Sequence, residues 1–167
     1  EEAAALGALM VHYSTDYVFD GSGSSYRDES APTGPLSTYG RTKLEGEVRV
    51  QASGCRHVIL RTSWVFAARG GNFAKTMLRL AGERDQMKVV DDQIGAPTSA
   101  ELLADVTAHA ALRVQADPSL GGLYHCVAGG ETSFFGYARH VLERARASGR
   151  ELRLPPEGLL PIPSTEY

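Results

Sequence analysis

Cysteine is scarce in this sequence. Cys55 and Cys126 are the only two, far apart and outside any C-x-x-C pair. That excludes a disulfide scaffold and a thiolate zinc site, and fits two reduced thiols serving as small buried hydrophobes in a cytoplasmic protein. Long apolar runs are also missing. None approaches the ~18 residues that span a bilayer, and no stretch reads as a signal peptide. Charge of one sign is lacking: 17 Lys and Arg stand against 20 Asp and Glu, a formal net charge of -3. A sequence-independent nucleic-acid binder needs a dense basic patch, and none is visible. The nearest stretch, Arg139 to Arg153, interleaves its arginines with Glu143 and Glu151 and reads as a solvated helix face and its exit. Finally, 18 glycines include no G-x-G-x-x-G pattern. Gly21-Ser-Gly23 does not complete one, and Gly129-Gly130 has no following glycine at the required spacing. A turn that offers backbone amides to a dinucleotide pyrophosphate is therefore not encoded here.

What is present is ordinary for a soluble globular chain. Of the 167 residues, 43% are apolar and 22% charged. The length suits about one domain, which would bury about 70% of its unfolded surface. The chain opens on Glu1-Glu-Ala-Ala-Ala-Leu6, which reads as the end of a helix, and closes on the Pro-rich Pro161–Tyr167. Residues 1–167 thus read as an excerpt of a longer protein.

Strand and helix signals alternate. Ala8–Ser14 is a short apolar strand after a Gly7 stop. Residues 20–35 form a long polar loop. Ser37 to Ser53 reads as a helix ended by Gly54, with Leu44 and Val48 four apart and Glu45 four before Arg49. Val58–Phe66 is a second strand. Phe73–Glu83 is a helix with Met77, Leu80 and Ala81 on one side, and Met87–Val90 a short strand. Gly95-Ala-Pro97 is a loop. Thr98 or Ser99 caps a helix to about Val114, Gly122–Val127 is a strand, and Thr132 or Ser133 caps a last helix to about Ala147. This order predicts an α/β fold with a largely parallel, Rossmann-like sheet and no linker between two cores.

Three segments carry chemistry. In Tyr39-Gly-Arg-Thr-Lys43 a phenol and an ammonium lie four residues apart on one helix face. A cation beside a phenol stabilises the phenolate, so the pair can exchange a proton with a substrate oxygen. Chance alone yields about 0.1 such matches in this composition, so the spacing by itself also suits a solvated surface pair. Tyr13-Ser-Thr-Asp-Tyr-Val-Phe-Asp20 stands where the first strand ends, at the edge where open α/β sheets bind ligands. The same residue types also favour plain turns. Arg61-Thr-Ser-Trp-Val-Phe66 places the only tryptophan at the end of the second strand, as a platform for a base or sugar or as a core aromatic.

Together these segments resemble the extended short-chain dehydrogenase/reductases, in which a Ser or Thr at a strand end precedes a Tyr-x-x-x-Lys pair. Here Thr15 precedes Tyr39 by that interval. The detail resembles the dTDP-4-dehydrorhamnose reductase family through Ser14–Gly21, Pro35–Glu47 and Arg61–Phe66, with Gly71–Met77, Asp92–Ser99 and Gly122–Cys126 following in order. The resemblance implies NADH- or NADPH-dependent reduction of a C4 keto group, giving dTDP-L-rhamnose for cell-envelope polysaccharide. It implies Tyr39 as proton donor, Lys43 as its electrostatic partner and a nicotinamide-ribose contact, and Thr15 as a hydrogen-bond partner of the same oxygen. Asp16 and Trp64 become substrate contacts, and Tyr17 and Asn72-Phe73 line the cleft. Thr15, Tyr39 and Trp64 are expected on one cleft. Family members can dimerise around Mg2+ held by glutamates, for which Glu101 is the candidate here. The family's glycine-rich N-terminal half and C-terminal tail have no counterpart in this sequence, so the excerpt by itself is expected to hold no dinucleotide. The same motifs also suit another nucleotide-sugar reductase or epimerase, or a non-catalytic regulatory subunit of the methionine adenosyltransferase type. The Thr15, Tyr39 and Lys43 set favours an enzyme.

Overall fold

A computed structural model describes residues 2–167. The elements in chain order are α1 (Glu2–Ala5), β1 (Met10–Thr15), α2 (Thr38–Ala52), β2 (His57–Thr62), β3 (Val65–Phe66), α3 (Phe73–Glu83), β4 (Met87–Val90), β5 (Ile94–Gly95), β6 (Thr98–Ser99), α4 (Ala100–Ala116), β7 (Gly122–His125), β8 (Thr132–Ser133), α5 (Phe134–Ala147) and β9 (Leu159–Ile162). The chain divides into two compact units. One holds residues 1–63 and 101–127, the other 64–100 and 128–167. The polypeptide passes between them three times without a Gly/Ser- or Pro-rich linker, which is why composition predicts a single core.

In the first unit, β1, β2 and β7 form a parallel sheet with β2 in the middle. A central parallel strand is covered on both faces and therefore reads as an apolar run. Val58, Ile59 and Leu60 fill that role and are buried. Val58 and Leu60 pack with Leu103 and Val114 of α4 and with Cys126. The sheet register sets Thr15 beside Thr62 and Ser14 beside Arg61, so the polar ends of β1 and β2 lie side by side.

The second unit is built on short pairs. β3 pairs with β6 and β4 with β9, both parallel, while β5 and β8 run antiparallel. Its core joins Met77 and Ala81 of α3, Ala138 and Leu142 of α5, Met87 and Val89 of β4, Leu154 and Leu159. The apolar side of α3 faces this core as its period requires. β9 contains Pro161 where the sequence suggests only a connection. Pro is tolerated there because, among the described residues, β9 pairs with β4 alone and needs to donate on one side only. The single strand expected over 58–66 is two, because Trp64 interrupts the extended backbone with φ 46.

Candidate active site

β1 ends in Thr15, which is buried and caps a short 3-10 turn over Asp16–Val18. Its Oγ1 accepts the Tyr17 N–H at 3.2 Å and donates to Asp16 Oδ1 at 3.0 Å. Burial pushes the Asp16 carboxyl above its ordinary range, against the pull of the Thr15 hydroxyl and nearby amides. Burial also raises the Tyr17 phenol, aided by the Asp16 charge and by Tyr39.

α2 delivers the other two groups. Ser37 caps it by accepting the Gly40 N–H at 3.0 Å. At Gly40 the helix touches the turn: a Cβ built there would stand 2.2 Å from the Tyr17 carbonyl oxygen. Only glycine permits that approach. Tyr39, beside it, is 56% exposed and meets Tyr17 edge-on, ring centroids 6.0 Å apart at 77°. Lys43 lies one turn on, and its Nζ donates to the Tyr13 carbonyl. That bond anchors the ammonium two residues before Thr15. An exposed phenol, a fixed ammonium and a strand-end hydroxyl thus share one unit, the set needed to donate a proton to an oxygen and hold it.

Beneath this set lies a buried polar network. Glu47 of α2 is buried and accepts from Ser14 Oγ at 2.5 Å, Arg61 Nε at 2.9 Å and Arg61 Nη2 at 2.7 Å. Burial alone would raise the Glu47 carboxyl. The hydrogen bonds from Arg61 and Ser14, with the charges of Arg61 and His12, hold it below its ordinary value instead. Arg61 also lies over the Phe19 ring, 5.1 Å from its centroid, with Arg27 over the same ring at 5.2 Å. One signal was available: an arginine inside the run Val58-Ile-Leu-Arg-Thr62 must find a buried partner, and Glu47 continues the Tyr39–Lys43 face by another turn.

The second unit holds Trp64 and Asn72. Trp64 is a bulky residue in the left-handed backbone region, a strained state that clusters at functional positions. One indole face stacks on Phe134, centroids 3.8 Å apart at 17°. Its edge meets Gly95, where a Cβ would come within 2.7 Å. Both readings of this tryptophan thus have a basis, a packed face and a strained backbone. Asn72 caps α3, accepting the Lys75 N–H at 3.1 Å and donating to the Ala67 carbonyl at 2.7 Å. The adjoining Phe73 packs on Phe134 and Tyr137.

The Mg2+ expectation finds no support. Glu101 stands exposed in the first turn of α4, and no group of three or more His, Cys, Asp or Glu among the described residues could hold a metal. Among the described residues no helix is long and apolar enough to cross a membrane.

Comparison with known proteins adds identity to this geometry. A family model described as "RmlD substrate binding domain" matches residues 1–167. The dTDP-4-dehydrorhamnose reductase of Shigella flexneri is 54% identical over 166 residues, covering 99% of this chain and 54% of the relative. A crystal structure of the Clostridium acetobutylicum dTDP-4-dehydrorhamnose reductase superposes with a TM-score of 0.83 at 38% identity, over 99% of this chain and 55% of that one. The Bacillus anthracis enzyme, solved in complex with NADP, gives 0.82 at 34% identity, over the same shares. The chain spans about half the length of the curated relatives it matches.

Proposed function

The chain belongs to the RmlD substrate binding domain family, and on that footing we propose that it carries the proton-donating and substrate-holding part of a reductase that converts dTDP-4-dehydro-L-rhamnose to dTDP-L-rhamnose. The observation that supports this best is the joining of Thr15, Tyr39 and Lys43 in one unit by the Gly40–Tyr17 approach and the Lys43–Tyr13 bond.

In this reading the exposed Tyr39 phenol gives its proton to the C4 oxygen as that oxygen gains negative charge. Thr15 hydrogen-bonds the same oxygen and orients it. Lys43 stabilises the tyrosinate left behind. Asp16, Tyr17, Trp64 and Asn72 are proposed to contact the nucleotide sugar. Bound NADPH supplies the hydride that C4 receives. The half-buried Lys43 ammonium and the exposed Tyr39 fit the ribose beside a nicotinamide. The pyrophosphate finds no glycine-rich turn in this sequence, so these two residues would hold only the nicotinamide end. The NADP held by the Bacillus anthracis relative supports NADPH as the hydride donor in this reading.

The test is cofactor oxidation by the full-length protein over a panel of 4-keto nucleotide sugars. Turnover with dTDP-4-dehydro-L-rhamnose, lost on Tyr39→Phe, supports the reading. Turnover only with another sugar nucleotide would reassign the substrate, and binding without turnover on any of them would make the protein a non-catalytic relative.

A further inference from the structure

We propose that the buried Ser14–Glu47–Arg61 network is the positioning device of this reaction, setting α2 with Tyr39 and Lys43 against the strand end that carries Thr15 and Asp16. The inference rests on the reductase reading. None of the three side chains reaches a ligand: Ser14 is 4% exposed, Glu47 2% and Arg61 5%. Each is joined to a residue or segment that does. Glu47 lies one helical turn beyond Lys43 and two beyond Tyr39. Ser14 precedes Thr15 in β1 and donates to Glu47. Arg61 sits beside Ser14 in the sheet, grips Glu47 with two nitrogens, and lies over Phe19. Phe19 closes the turn that Thr15 opens. One guanidinium therefore fixes both the helix that carries the proton donor and the turn that carries Asp16 and Tyr17.

Stability alone explains this arrangement poorly. A buried ion pair roughly breaks even against well-packed apolar residues of the same volume. Here Arg61 Nη1 is in addition buried without a hydrogen-bond partner among the described residues, which is unfavourable. What the pair does supply is direction. A planar fork meeting a carboxylate through two bonds fixes angle as well as distance. Proton transfer is sensitive to such placement, since a shift of about 1 Å can lower a rate about 100-fold.

Two variants of the full-length protein test this. Arg61→Lys keeps a cation beside Glu47 but loses the fork and the stack on Phe19. Ser14→Ala removes a single bond. For Arg61→Lys, kcat should fall about 10- to 100-fold while KM for sugar nucleotide and NADPH stays within about threefold. Ser14→Ala should move the same way by less. A second readout needs no substrate: the acylation rate of Lys43, with Lys75 and Lys88 of the second unit as internal controls. Loss of the network should speed Lys43 labelling several-fold and leave the other two unchanged. Parental kcat and parental Lys43 labelling in both folded variants would overturn the proposal. So would a raised KM with kcat intact, because the network would then serve binding. If Arg61→Lys fails to fold, visible as faster labelling of all three lysines, Ser14→Ala decides. If the unaltered protein reduces no such sugar, the reductase reading fails, while the Lys43 labelling still judges the network.

Discussion

Gly40 stands against the carbonyl of Tyr17 so closely that a methyl group at its Cα would lie 2.2 Å from that oxygen. The contact joins α2 to the turn at the end of β1, and it makes glycine obligatory in the first turn of a helix. Alanine would gain about 1 kcal/mol of helix propensity at that position. The clash is with backbone, which cannot swing aside, so overpacking of about 1–3 kcal/mol should win. Gly40→Ala is therefore expected to lower the melting temperature and to reduce turnover as α2 is pushed off the turn. Calorimetry and steady-state kinetics of the full-length protein check both. A more stable, fully active variant would show that the approach is dispensable.

Tyr39→Phe keeps the ring and its edge-on contact with Tyr17 but removes the proton. Turnover should drop about 10²- to 10⁴-fold. The melting temperature should hold, because the side chain is more than half exposed. Undiminished turnover would remove Tyr39 from the mechanism.

Asp16→Asn should separate binding from folding. Burial raises this carboxyl in the folded protein, so its charged form opposes folding as pH rises above the ordinary carboxylate value. Removing the charge should leave stability at neutral pH unchanged or slightly higher. Affinity for the sugar should fall, since a hydrogen bond to a charged group contributes about 1.5–3 kcal/mol, roughly a 10- to 100-fold rise in KM. Wild-type KM should rise likewise as pH falls through the raised Asp16 value. A KM flat with pH and equal in Asp16→Asn would detach Asp16 from the substrate.

Glu47 has the opposite sign. Its folded value lies below the ordinary 4.5. Its contribution is therefore complete above about 4.5 and is lost as pH falls through the lower folded value. Denaturant titrations across that window should show the loss. They should show less of it when both partners are apolar, as in Glu47→Leu with Arg61→Met. Glu47→Ala alone should cost about 3–5 kcal/mol at neutral pH, because it strands the Arg61 charge.

Much of this was legible in the sequence because it is local. The Tyr39–Lys43 face follows from helical period, Ser133, one of the two expected residues, caps α5, and Gly54 leaves α2 with φ 70 as a helix stop should. What escaped was non-local. Glu47 reads as one more helix glutamate until β2 brings Arg61 beside it. The break at Trp64 could not be seen because nothing in an aromatic side chain announces a positive φ. The division into two units was hidden because the crossings fall at Ser63–Trp64, Ala100–Glu101 and Val127–Ala128, among ordinary residues.

Those three crossings bear on how the chain acquires its fold. β7 completes the first sheet beside β2, but the segment between them includes residues 64–100 of the other unit. A ribosome must therefore release that whole excursion before Val58 can meet Gly122. Closing so wide a loop is entropically unfavourable and slow compared with forming α2 against β1. The β1–α2–β2 segment, with Tyr39, Lys43 and the Glu47–Arg61 pair already in it, should thus gain protection from amide exchange first during refolding, and β7 should follow.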